Sequence, residues 1–268
     1  MRILLLLAVA ILSPLVANIP ARATSVAQLE QAAKEGDIKA ETNLGLAYYY
    51  GQGVPQDYTQ AVYWFRKAAE KGYAVAEDRL GVAYYYGLGV SKDYTQAVYW
   101  FRKAAEQGYA SAEANLGAVY SEGEGGTHDY TQAVYWYRKA AAQGNVDAEG
   151  GLGLAYFKGQ GVPQDYTQAA FWYWRAANHG DAVAASILGH AYFRGLGVTP
   201  DYTQGVHWLR KAAEKGVPEA QHALGVAYEY GRGVTRDSSE AISWYRKAAA
   251  QGDADAKKRL ARLEGGGN

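Results

Sequence analysis

The side chains that usually carry catalysis are sparse in this chain and poorly placed for it. There is no cysteine, which excludes disulfides, thiolate nucleophiles, Fe–S clusters and Cys-ligated zinc. The histidines are His128, His179, His190, His207 and His222. His190 and His222 could share one groove as a metal or proton site, but no acidic residue on the same stripe completes a ligand set. Gly-x-Gly runs such as Gly51-Gln52-Gly53 could cradle a phosphate, yet a phosphate loop follows a strand and brings a Lys or Ser/Thr to the anion. Here each run leads toward an aspartate, Asp57 in the first case, which would repel it. Serine-hydrolase chemistry lacks the strings Ser-x-x-Lys, Ser-Asp-Asn, Lys-Thr-Gly and Gly-x-Ser-x-Gly, and zinc-protease chemistry lacks His-Glu-x-x-His. The acids read as helix caps or solvated helix faces. The chain is therefore expected not to be an enzyme, with no catalytic residue, cofactor or metal.

What the sequence does offer is binding chemistry. It carries 24 Tyr and 7 Trp in 268 residues, with 27 Lys+Arg against 27 Asp+Glu. The neutral balance gives no field for gripping nucleic acid or an anionic membrane. Amphipathic aromatic rings are, by contrast, common anchors at protein interfaces.

These rings are positioned by a repeat. Trp recurs at 64, 100, 136, 172, 208 and 244, a step of 36 each time. Leu44 and Gly36 keep the same step through Leu260 and Gly252. Six full units span residues 37–252 without insertion: 37–72, 73–108, 109–144, 145–180, 181–216 and 217–252. A half-unit precedes them at 24–36, and another with a tail follows at 253–268. Such a period marks stacked supersecondary units.

Each unit reads as two helices. The first, Ile38–Tyr50 in the leading copy, sets Ala40, Leu44, Ala47 and Tyr48 on one stripe and stops at Gly51. After the loop, Asp57-Tyr58-Thr59-Gln60 has the form of a capping box, with Gln60 reaching back. The second helix carries Ala61, Trp64, Phe65, Ala68 and Ala69 inward and ends at Gly72. Pro218 fits the first turn of its helix. A helix-interior glycine, costing about 1 kcal/mol against Ala, recurs at 45, 81, 117, 153, 189 and 225. That repeated cost implies a close neighbour, expected to be Trp64 and its copies. In the third loop Gly126 replaces the valine of the others (Val54, Val90, Val162), which marks that loop as a hinge candidate.

The stretch AETNLGLAYYYGQGVPQDYTQAVYWFRKAAEKG from Ala40 to Gly72 resembles the Sel1-like repeat, a relative of the tetratricopeptide repeat with a longer loop. The resemblance covers nearly all of the chain after residue 23. It implies an all-α fold, an α/α solenoid wound as a right-handed superhelix of 36-residue helix–loop–helix repeats. It also implies a scaffold that binds a protein or peptide, with exported members tied to envelope signalling or host interaction. Two other functions stay open: a β-lactamase-like or cell-wall hydrolase activity, as in a cysteine-rich branch of the family, and a structural envelope spacer.

In solenoids of this kind the first helix lines the concave groove. Comparing copies separates its nearly constant stripe (Ala40, Leu44, Gly45, Tyr48) from a variable one (Thr42, Asn43, Leu46, Tyr49, Tyr50). The variable stripe offers Tyr49, Tyr50, Tyr85, Tyr86, Phe157, Phe193 and Tyr230, with Arg79, Lys158 and Arg194 between them. These are the expected partner-binding residues. A second patch is Phe171 with Trp174, which replaces the arginine of the other units (Arg66, Arg102) on the outer side of the second helix.

The chain's first residues read as an export signal. Met1-Arg2 is followed by an apolar stretch from Ile3 to Ala17, and Ala21-Arg22-Ala23 fits a cleavage site. Fifteen residues fall short of the roughly 20 needed to span a bilayer. A signal peptide over 1–23 is expected, giving a periplasmic or secreted protein without membrane insertion after cleavage. The sequence leaves the oligomeric state open.

Overall fold

The computed structural model describes residues 25–265, apart from 125 and 127. The expected signal peptide and part of the third loop thus lie outside the described residues. Among the described residues there are fourteen α-helices and no strand. None of these helices is long and apolar enough to cross a membrane. Two bodies are formed, one up to Asn145 and one from Val146. The first holds α1 (Val26–Lys34), α2 (Ile38–Tyr50), α3 (Tyr58–Glu70), α4 (Ala74–Tyr86), α5 (Tyr94–Glu106), α6 (Ala110–Glu122) and α7 (Tyr130–Ala142). The second holds α8 (Val146–Lys158), α9 (Tyr166–Asn178), α10 (Ala182–Arg194), α11 (Tyr202–Glu214), α12 (Pro218–Tyr230), α13 (Ser238–Ala250) and α14 (Ala254–Gly265). From α2 to α13 the even-numbered helices are the first of each unit and the odd-numbered ones the second.

Local chemistry sets the helix bounds. Asp57 begins α3 by accepting from the amides of Thr59 (2.9 Å) and Gln60 (3.0 Å), which satisfies N–H groups that have no partner within the helix. Gln60 makes no return bond; the reciprocal capping box forms instead at Ser25 and Gln28, ahead of α1. Gly51 closes α2 at φ +69°, in the left-handed region. The loop then folds back, with the Asp57 amide donating to the Tyr48 carbonyl at 2.9 Å and Gln56 Nε2 to the Tyr49 carbonyl at 2.8 Å. At the end of α3 the Tyr73 amide donates to Ala68 across Gly72, and the chain turns into the next unit.

Packing corrects one expectation. The neighbour that forbids a side chain at Gly45 is Phe65, not Trp64: a Cβ there would lie 2.6 Å from Phe65 Cδ1. Phe101, Tyr137, Tyr173, Leu209 and Tyr245 stand in the same way against Gly81, Gly117, Gly153, Gly189 and Gly225. The glycine therefore seats the ring of its own unit's second helix. The tryptophan packs into the preceding unit. Trp64 joins Leu29 and Ala33 of α1, Trp100 joins Phe65 and Ala68 of α3, and Trp208 joins Tyr173 and Ala176 of α9. One residue thus closes the unit and its neighbour stacks it, each burial being worth about 1.5–3 kcal/mol.

Polar contacts follow the same period. Arg66, Arg102 and Arg210 each donate to a tyrosine hydroxyl on the next unit's first helix: Tyr84 (2.9 Å), Tyr120 (2.6 Å) and Tyr228 (2.6 Å). Glu41, Glu77, Glu113 and Glu149 are buried, contrary to the expectation that acids not used as caps lie on solvated faces. Each is held by the residue that caps the C-terminus of its own second helix. Lys71 bonds Glu41 at 2.8 Å, Gln107 bonds Glu77 at 2.6 Å, Gln143 bonds Glu113 at 2.8 Å and His179 lies 2.8 Å from Glu149. Buried carboxylates persist only when held in this way.

Candidate functional site

The variable stripe of the first helices differs between the two bodies. In the first body it is a tyrosine cluster backed by carboxylates. Tyr49 is partly buried and stands edge-on to Tyr50 (4.9 Å between centroids) and Tyr58 (5.3 Å). Tyr85 is only 6% exposed, and its hydroxyl donates to Glu122 Oε2 at 2.6 Å. Tyr86, edge-on to Tyr85 at 4.9 Å, is 46% exposed. Burial, and then the nearby Glu122, push the Tyr86 phenol up to about 12. Burial also raises Glu122, against the pull of the Tyr85 hydroxyl.

Arg79 does not face outward freely. Its side chain is largely covered and its Nε lies 3.8 Å from Asp78 Oδ2. The nearby Tyr109 also favours its charged form. Asp78 is buried and accepts from Asn115 Nδ2 at 2.8 Å; burial raises its carboxyl, opposed by Arg79 and Asn115. This group ties α4 to α6. Of the expected first-body residues, Tyr86 offers the most open surface, Tyr49 and Tyr50 are intermediate, and Tyr85 and Arg79 mainly hold units together.

In the second body the stripe is basic. Phe157 and Phe193 are half-buried against Tyr166 (5.4 Å) and Tyr202 (5.2 Å). Lys158 and Arg194, the last residues of α8 and α10, are exposed. Tyr230, the last residue of α12, is 50% exposed. His190 is pushed down to about 4 by burial, then by Arg194 and His222. His222 Nδ1 sits 3.3 Å from Asp253 Oδ2. Among the described residues no three potential ligands gather around a point that could hold a metal. The remaining histidines have local contacts. His128 contacts the Ser121 carbonyl at 2.8 Å, His179 pairs with Glu149, and His207 packs edge-on to Trp208.

On the outer side, Phe171 and Trp174 are both 47% exposed. The ring that Phe171 meets is Trp172, edge-on at 5.2 Å, rather than Trp174. Trp174 takes the place of the arginine that reaches the next unit elsewhere, so Tyr192 lacks the bond that Tyr84 receives from Arg66. The sequence reading passed over a longer row on this side. Tyr63, Tyr99, Tyr135 and Phe171 are each about half exposed and edge-on to the following tryptophan. Lys67, Lys103 and Lys139 lie over the rings of the tyrosine–tryptophan pairs in the first body. The recurring Tyr-Trp dipeptide was the available signal.

Comparison with known proteins places these features. The Sel1 repeat family model matches six times, at 38–73, 74–109, 110–145, 146–181, 182–217 and 218–253. The chain is similar to c5321, a protective antigen present in uropathogenic Escherichia coli strains and displaying an SLR fold. That likeness has 41% identity and a TM-score of 0.85 over 90% of this chain and 52% of the antigen, so the chain spans about half of the antigen's length. It is also similar to a Sel1 repeat protein from Oxalobacter formigenes, with 35% identity and a TM-score of 0.75 over 84% of this chain and 99% of the other. No curated protein matches the chain.

Proposed function

The chain belongs to the Sel1 repeat family, and from that premise we propose that it is an exported scaffold holding a partner protein or peptide on the variable stripe of its first helices. Sel1 repeats usually mediate protein interactions and are generally non-enzymatic. One observation carries the proposed surface. Rings and charges on this stripe, Tyr86, Arg194 and Tyr230, stay exposed although the fold does not require them there. Glu122 and Lys158 occupy the same register as Tyr86 in other units. A surface kept varied while its backbone is kept constant suits recognition better than packing.

Export is supported by the signal-like pattern of residues 1–23 and by the likeness to a protein described as a protective antigen. An envelope-signalling or host-interaction role belongs to the same proposal. The test is site-specific photocrosslinking in the native host, with the crosslinker placed at Tyr86, at Tyr230 and at outer-side Tyr63. Capture of one common protein from Tyr86 and Tyr230 is the expected result. Capture from Tyr63 alone would move the interface to the second helices.

A further inference from the structure

The first-helix stripe of the second body holds more positive charge than its own carboxylate can neutralise. Glu229 is the acid of this stripe, and it is already engaged. It accepts from Tyr245 at 2.7 Å and from Arg259 at 3.1 Å, and it also pairs with Arg262. Lys158 and Arg194 have no ion-pair or hydrogen-bond partner among the described residues, and both are exposed. They occupy the same register on α8 and α10, each following a half-buried phenylalanine, Phe157 and Phe193.

Helix-end electrostatics favours a cation at such a position but does not demand one, since Tyr50, Tyr86 and Glu122 stand at that register in the first body. His190, one turn before Arg194, is partly buried, and its buried Nε2 has no hydrogen-bond partner among the described residues.

We propose that Lys158 and Arg194, with Phe157 and Phe193 beside them and Tyr230 in the following unit, receive an acidic segment of the partner protein. Its carboxylates would meet the two cations, and its apolar side chains would meet the phenylalanines. This rests on the first-helix reading of the interface and adds the partner's chemistry to it. Charge complementarity selects a peptide over the other anionic surfaces. An anionic membrane is recruited by clusters of about four to eight basic residues, and a nucleic acid by a broad basic face. The neutral chain offers two unpaired cations on this row, a match for discrete carboxylates.

The test uses the full mature chain and a short fluorescent peptide of interspersed glutamate and leucine, against a counterpart in which every glutamate is glutamine. Anisotropy at low salt should show the glutamate peptide binding at least about tenfold more tightly, with the preference falling as salt rises. Lys158→Gln with Arg194→Gln should weaken it about fivefold to tenfold. Removing the same charge elsewhere, with Arg236→Gln and Lys257→Gln, should change it less than about twofold.

Equal binding of the two peptides, or equal loss in both double variants, would overturn the proposal. So would phosphatidylglycerol vesicles held through Lys158 and Arg194 in preference to the peptide. The underlying reading fails separately. A protein crosslinked at Tyr230 whose binding ignores Lys158→Gln and Arg194→Gln leaves the stripe as the interface and removes the acidic segment. Crosslinking from Tyr63 alone removes the stripe itself.

Discussion

A single methyl group measures how tightly each unit closes. Gly81→Ala gains about 1 kcal/mol of helix propensity. Its Cβ would stand 2.6 Å from Cδ1 of Phe101, a ring with no exposed surface and no room to retreat. Overpacking of this kind costs about 1–3 kcal/mol, so we expect a net loss near 1 kcal/mol in urea unfolding. A more stable variant would show that the ring does not close the unit. Asp147 tests charge in the same currency. Burial, and then the neighbouring Asp181, raise its carboxyl from 3.8 to about 6. A raised folded value means the carboxyl favours folding while protonated; that contribution is complete below about pH 4 and is lost as pH rises through about 6. Asp147→Asn should therefore stabilise the protein at pH 7 by about 1 kcal/mol after discounting for solvent screening, and change little at pH 4. Equal effects at both pH values would contradict this.

At the scale of elements, loops decide how units dock. Gly89 and Gly108 both hold positive φ, +70° and +79°. A Cβ at Gly89 would strike the Tyr58 carbonyl at the start of the preceding unit's second helix, whereas at Gly108 it would meet nothing within 4 Å. Gly108→Ala should cost only the left-handed strain, about 1–2 kcal/mol. Gly89→Ala should cost at least about 1 kcal/mol more. Equal costs in chemical unfolding would mean that the loop does not dock. Element boundaries were legible in the sequence because their causes are local: an aspartate ahead of each second helix and a glycine after each helix. Which of Trp64 and Phe65 meets Gly45 was not legible. Adjacent residues differ by about 100° around a helix, and both rings fit an inward face. The buried glutamates were missed for a related reason, since Glu77 is explained by Gln107, which reaches it from the C-terminal cap of the unit's other helix.

At the scale of the whole molecule, each body is held by nearest-neighbour contacts, as in other repeat proteins. Tryptophan, arginine and loop glycine all reach one unit away. This leaves only part of the variable stripe free to change from unit to unit, since Asp78, Asn115, Tyr85 and Glu122 on it also join successive units, and it is why the proposed interface was only half legible. Comparing copies found the stripe. It could not show that Tyr85 and Arg79 are engaged by Glu122 and Asp78 while Tyr86 and Tyr230 stay about half exposed, Tyr230 with Arg232 over its ring. The central claim is that these open side chains bind the partner. It is tested most directly by titrating the crosslinked partner, once identified, against Tyr86→Ser and Tyr230→Ser, with circular dichroism on the same samples. The account predicts unchanged helical content and affinity weakened by about 2 kcal/mol, roughly thirtyfold, in at least one variant. Unchanged affinity in both, together with loss of binding in Phe171→Ser or Trp174→Ser, would contradict it and place the interface on the second helices.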